Sequence, residues 1–250
     1  HHVAAMRDAA GGARIYVDGQ LDGAVTGTTL RSLDANIGIG IGADIRDNVR
    51  SFRGVIDDVR IYNRDLTASQ VFALASTGEW STAPWTGDAS AGIREDAKWA
   101  YHFGAGVSTV IGNAIVTGVA GTNPSTGDFT ITGVGSVLNG DTNNLTGLTG
   151  TGSATVAKDF IYGGSPATIT LQGLIPGRRY VTTILSVGWE AAGGRQVTFA
   201  SGGDTMVVDQ GQYGDNNGLR VTYAFVADAA PRVITVTPLA ATPTFTFHFY

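Results

Sequence analysis

The sequence predicts an all-β protein of two β-sandwich domains, with one short helix at about residues 68–76. Three observations predict it. Glycine supplies 36 of 250 residues, about twice its usual share of roughly 7%, and punctuates short runs of Val, Ile and Thr. Apolar residues recur at every second position, and helical spacing is nearly absent outside 68–76. Turn signals return about every ten residues, as in antiparallel sandwiches. With 43% hydrophobic and 15% charged residues, the chain can build two ordinary cores.

Residues 1–8 read as a first strand, and 13–17 as a second with Ile15 and Val17 on one face. Asp18-Gly19 is a favoured hairpin pair, so the return strand is 20–25. In 36–42, Ile37, Ile39 and Ile41 share one face and glycines the other. A glycine face suits the close approach of another backbone. The Gly-Ile-Gly run lacks the strand–helix context of a phosphate loop. Residues 44–50 form a polar loop.

The stretch 52–74 organises the chain. Val55, Ile56, Val59 and Ile61, with Arg60 and Tyr62 on the other face, predict a half-buried strand. A short helix follows. Thr67 caps it, Gln70 reaches back three residues later, and Leu66 packs on Val71: a capping box with a hydrophobic staple. Val71, Phe72, Leu74 and Ala75 give the helix one apolar side, and Gly78 is its stop. So short a helix must lie on a sheet.

Residues 80–97 dissolve into small residues and Pro84 and read as a linker, whose Trp80 and Trp85 either dock on a neighbouring domain or form an aromatic platform. The second domain is 98–250. Its expected strands are 99–103, 107–111, 114–119, 129–134, 153–162, 167–171, 180–187, 196–199, 205–208, 220–226, 232–237 and 244–250. Leu174-Ile-Pro-Gly-Arg-Arg-Tyr180 is a turn entering a strand.

Net charge is −5 with 16 basic residues, of which only Lys98 and Lys158 are lysines. No basic tract is present, so no nucleic acid is expected as partner. No apolar run reaches the ~18 residues that insert into a bilayer. The absence of cysteine excludes a disulfide framework and a thiolate metal site.

Hydrolysis requires paired carboxylates or an activated nucleophile. Asp57-Asp58 would point to opposite faces of a strand, and Glu95-Asp96 lies in the linker. His1, His2, His102 and His248 stand in no triad setting, and His248 reads as a sandwich-surface residue. No enzyme is expected, and no catalytic residue. Sugar recognition combines an aromatic face with short amides and carboxylates on loops. Trp189, Glu190 and Arg195, with Tyr213, Asp215, Asn216 and Asn217, have that composition. The competing reading is that Asp-Asn-Asn-Gly218 is a plain turn and Trp189 a core cover. Asn144-Leu-Thr146 is a formal glycosylation sequon.

His1-His-Val-Ala-Ala, Ala13-Arg-Ile-Tyr-Val-Asp-Gly-Gln and Gly54-Val-Ile-Asp-Asp-Val-Arg-Ile-Tyr-Asn-Arg-Asp-Leu-Thr67 together resemble the closing half of a laminin-G-like, concanavalin-A-type jelly roll, over roughly 80 residues. The resemblance implies a first domain, 1–79, that is incomplete at its N-terminus. The Leu-x-Pro-Gly-x-x-Tyr turn resembles fibronectin-type and galactose-binding-like sandwiches. With 150–164, Trp189-Glu190, 213–218 and 245–250, it is similar to a jelly-roll-like domain paired with laminin-G-like domains in large secreted bacterial proteins. The resemblance implies a non-catalytic, extracellular or cell-surface module that binds glycan or mediates adhesion. Its natural metal is calcium, for which Asp18, Asp22, Asp44 and Asp47 are loop carboxylates without a dense motif; the expectation is no cofactor, calcium being possible. The alternative function is a structural subunit of a fibre or surface layer, self-associating through open sheet edges.

Overall fold

Short β-branched runs joined by left-handed turns set the architecture from the first hairpin. The computed structural model describes residues 1–27, 40–43, 51–57, 59–75, 78–95, 97–141, 148–239 and 246–250, without the side chains of Ser69, Phe72 and Ala73. It divides into two units, His1–Ala75 and Ser76–Tyr250.

In the first unit, β1 (Val3–Arg7), β2 (Ala13–Val17) and β3 (Gln20–Val25) form an antiparallel meander. Asp18 and Gly19 turn it at φ of 50° and 81°, the paired positive values a two-residue hairpin requires. The helix α1 (Ala68–Ala75) starts as its sequence dictates. Gln70 N donates to Thr67 Oγ1 at 3.2 Å, and Thr67 N donates to Gln70 Oε1 at 3.1 Å. Leu66 and Val71 are buried together with Tyr16 of β2, so the sheet supplies the surface the helix needs.

The expected strand over 54–62 is absent. The described residues of this stretch, 54–57 and 59–62, belong to no ladder, and Val55 is 92% exposed. Alternation makes a strand only where a neighbouring backbone accepts its hydrogen bonds, and none runs beside it among the described residues. Ile37, Ile39, Asp44, Asp47 and Asp58 lie outside the described residues.

The second unit opens with β4 (Glu79–Trp85), where the sequence reads as linker. The stretch is mostly small and polar, and β15 (Gly218–Val226) gives it a partner: Trp85 pairs with Gly218 and Glu79 with Ala224. Then follow β5 (Tyr101–Gly104), β6 (Thr109–Ile111), β7 (Ala114–Ala120), β8 (Phe129–Thr132), β9 (Ser136–Leu138), α2 (Thr151–Val156), β10 (Phe160–Tyr162) and β11 (Ala167–Leu171). The remaining strands are β12 (Arg179–Val187), β13 (Gln196–Ser201), β14 (Asp204–Asp209), β15 (Gly218–Val226) and β16 (Arg232–Pro238). No described helix is long and apolar enough to cross a membrane.

A five-stranded sheet, β14-β13-β16-β11-β8, and a three-stranded sheet, β12-β15-β4, share one core. Ile131, Ile169, Phe199 and Ile234 from the first meet Ile184, Val221, Tyr223 and Phe225 from the second. This is the sandwich the alternation predicts. Trp80 stacks on Tyr223 with centroids 4.2 Å apart. Trp85 is fully buried in a second cluster, its Nε1 donating to Ser153 Oγ at 3.0 Å. Both tryptophans belong to the unit's own interior, and neither forms an exposed platform.

Residues 153–162 are split rather than one strand. Thr151–Val156 is helical because Asp88 Oδ1 accepts from Ser153 N at 2.6 Å, and Gly152 sits against the Val110 backbone where a side chain would clash. At the Leu174–Tyr180 turn, Ile175 N donates to the Tyr180 hydroxyl at 3.0 Å, so the tyrosine anchors the turn from below.

Candidate functional site

Two loops of the second unit carry the sugar-type residues, and the fold brings them together. One joins β12 to β13 and holds Trp189, Glu190 and Arg195; the other joins β14 to β15 and holds Tyr213, Asp215, Asn216 and Asn217. Gly188 N donates to Asn217 O at 2.8 Å and Asn216 N to Gly188 O at 2.9 Å. Asp209 ties both loops with one carboxylate: Oδ1 accepts from Gly211 N at 3.0 Å, and Oδ2 accepts from Gly193 N. Asn216 holds φ of 61°, a left-handed conformation that asparagine tolerates. The Asp-Asn-Asn-Gly218 stretch is a turn, and its backbone is bonded to the loop that holds Trp189 and Glu190.

The cluster has two layers. Tyr213, at 36% exposure, and the exposed Asp215 and Asn217 form the rim, with Glu190 and Asn216 half-buried beside them. Trp189 and Arg195 turn inward instead. Trp189 Nε1 donates to the Tyr250 hydroxyl at 3.2 Å, and its ring stands edge-on to Phe160 and His248. Arg195, 6% exposed, donates to Thr246 O at 2.7 Å and reaches Glu190 Oε1 at 3.4 Å.

His248 is not on the sandwich surface. It is 3% exposed and stacks on Phe160 with centroids 4.5 Å apart. The aromatic alternation around it places it inward because Phe160 and Trp189 cover that face. Gln210 Oε1 accepts from His248 N at 3.0 Å, which turns its amide nitrogen toward Nδ1 at 3.1 Å. Arg195 offers a donor to Nε2 at 3.2 Å. Burial, and then the Arg195 charge, hold the imidazole pKa well below its ordinary value. A neutral imidazole accepts at one nitrogen only, and a proton added there would point at the group donating to it. Burial likewise lowers the Arg195 pKa, opposed by Glu190.

A pH dependence follows. Below the ordinary histidine pKa of about 6.5 the unfolded chain binds a proton that folded His248 refuses. The stability due to neutral His248 is full above about pH 6.5 and lost as pH falls beneath it, by at most ~1.4 kcal/mol per pH unit. Melting temperatures between pH 7.5 and 5 drop accordingly, and the His248→Asn variant shows a smaller drop than the parent.

Sequence reasoning missed a second concavity. A cleft of about 240 Å³ lies where β12 faces β8 and β11, lined by Trp99, Tyr101, Phe129, Leu171, Tyr180 and Ile184 among others. Lys98 Nζ lies 4.3 Å from the Trp99 ring and donates to Gly173 O at 2.9 Å. The Tyr101 hydroxyl donates to Asp128 Oδ2, and burial, then this carboxylate, raise its pKa. The signal was the aromatic alternation Trp99, Tyr101, Phe103, read only as a strand.

Residues 1–72 match the family model described as the concanavalin A-like lectin/glucanases superfamily. No curated protein and no solved structure matches the chain. The superfamily match covers the hairpins and the capped start of the helix of the first unit, the stretch whose motifs carry the sequence resemblance. Asp18 uses its carboxylate on His1 Nδ1 at 2.6 Å and His2 N at 2.8 Å. Among the described residues no group of three or more His, Cys, Asp or Glu side chains is placed to hold a metal ion.

Proposed function

We propose that the chain is a non-catalytic carbohydrate-binding or adhesion module of a larger extracellular or cell-surface protein. The observation that carries the reading is the joined loop pair: Asp209 and the Gly188–Asn216/Asn217 backbone bonds hold Tyr213, Asp215, Asn217 and Glu190 on one rim. An aromatic ring with short carboxylates and amides, fixed on a buried floor, suits a sugar ring and its hydroxyls. The superfamily match of residues 1–72 is compatible with this class of ligand.

Tyr213 supplies the stacking face, and Asp215, Asn217 and Glu190 supply the hydrogen bonds. The inward Trp189 and Arg195 position the loop and touch no ligand. A glycan array screen, followed by calorimetry on the best oligosaccharide, tests the proposal. Tyr213→Ala lowers affinity about tenfold, the loss of roughly 1.4 kcal/mol, without changing the melting temperature by more than a few degrees. Absence of binding on the array, or binding indifferent to a Tyr213→Ala/Asp215→Ala double variant, removes it.

A further inference from the structure

The two loops that carry the rim residues meet on one side chain. His248 lies beneath them, 3% exposed. Arg195, at the end of the β12–β13 loop, aims a guanidinium nitrogen at Nε2 from 3.2 Å, and Gln210, at the start of the β14–β15 loop, aims its amide nitrogen at Nδ1 from 3.1 Å. Both partners are fixed by further bonds. Arg195 donates to Thr246 O, Gln210 Nε2 donates to Val187 O at 2.7 Å, and Gln210 Oε1 accepts from the His248 amide. The backbone joins the two loops at the same place, Gln210 N donating to Arg195 O at 2.9 Å. One imidazole therefore sits at the base of both loops.

Its surroundings suit a neutral ring. Phe160 stacks on it, and Tyr162 and Trp189 stand edge-on with centroids at 5.6 and 5.1 Å. The titratable groups on the elements around it are Arg195 and Glu190 of the β12–β13 loop, Asp209 beside Gln210, Tyr162 of β10, Tyr250 of the terminal segment, and Asp141, whose charge reaches Tyr250. Of these, Arg195 alone meets the ring nitrogens, and it is a cation; Glu190 engages its other guanidinium nitrogen. Among the described residues no carboxylate contacts the ring to hold an added proton.

The loops are also built to lift. Gly188, Gly193 and Gly194 punctuate the first, and Gly211 and Gly214 the second; residues 191–194 are exposed, and Trp189 is only half-buried. We propose that His248 is the pin of an acid-sensitive latch: neutral, it holds the β12–β13 and β14–β15 loops closed over it, and on taking up a proton it lets them open while the sandwich below stays folded. In the open state water reaches the ring, which then titrates at the ordinary value of about 6.5. The latch is closed above that pH, and each unit below it favours opening by up to about tenfold. Opening parts Glu190 from Tyr213, Asp215 and Asn217, so a ligand on the rim leaves in acid. That consequence rests on the glycan reading; the latch itself does not.

Hydrogen exchange of the 250-residue chain from about pH 7.5 to 5, corrected for the intrinsic rate, tests the latch in a window above the ordinary carboxylate range. The reporters are the amides that bridge the loops, Gly188 N, Asn216 N and Gln210 N. Their protection falls by up to about thirtyfold between pH 6.5 and 5, while amides of β11, β13 and β16 keep theirs. In His248→Asn the loop protection stays level across the window. Loop amides that remain protected at pH 5 overturn the proposal. So does loss of protection in loops and core strands together, which makes His248 a group of general stability only. Both outcomes are read on the parent chain, whether or not the variant folds. An oligosaccharide found on the array loses affinity in step with loop protection. A ligand whose affinity ignores the opening removes the rim as its site instead, so the two failures are told apart.

Discussion

Trp85→Ala destabilises the second unit by about 3–5 kcal/mol, the range for removing a large buried aromatic side chain. The ring is 0% exposed and lies edge-on to Tyr250 with centroids 6.4 Å apart. Its removal leaves a void between α2 and β12, and the Ser153 hydroxyl loses its donor. Urea denaturation followed by tryptophan fluorescence and circular dichroism measures the loss. Trp85→Phe keeps most of the packing and costs less than half as much. A change below about 0.5 kcal/mol, usual for surface and linker positions, would show that residues 79–85 are not part of the sandwich.

Arg195→Met loses about 2–3 kcal/mol and moves the titration of His248 upward. The substitution keeps the volume of the stem but removes the charged donor from Thr246 O, a bond of 2.7 Å in the class worth roughly 1.5–3 kcal/mol. Glu190 keeps access to water and is left at little cost. The effect on His248 has a definite sign. The Arg195 charge is the second cause of its low pKa, so removing it shifts the imidazole toward its ordinary value, while burial still holds it below. NMR titration of the imidazole resonances reads the shift, and the acid-side fall in melting temperature shrinks with it. An unchanged His248 titration would mean that burial alone sets its protonation.

Local chemistry was legible in the sequence wherever a motif closes on itself. The Thr67–Gln70 box, the Asp18-Gly19 turn and the Tyr180 anchor each need fewer than ten residues, and each forms as read. Errors appear where a distant partner decides. Glu79–Trp85 has the composition of a linker and becomes a strand because β15 pairs with it. Residues 54–57 and 59–62 have the better strand pattern and lie in no ladder among the described residues. Thr151–Val156 has poor intrinsic helix propensity and is helical because Asp88 accepts from its backbone. Around the candidate site the composition was readable, but its layering was not. Whether Trp189 faces a ligand or a core depends on Tyr250 and Phe160. The aromatic cleft escaped notice because its walls come from strands separated in sequence.

The pairing of β4 with β15 also sets when this sandwich can form. Just after β4, the Ser90 carbonyl accepts from the Arg220 side chain of β15, 130 positions later in the chain. On a ribosome making roughly 5–20 residues per second, β4 emerges many seconds before the strand that shelters it. During that interval Trp80 lacks Phe199 and Tyr223, the rings it packs on, and closing so long a loop makes the final step slow. The newborn chain therefore exposes apolar surface until β15 follows. Its vulnerability to aggregation is a property of the clock rather than of the finished fold.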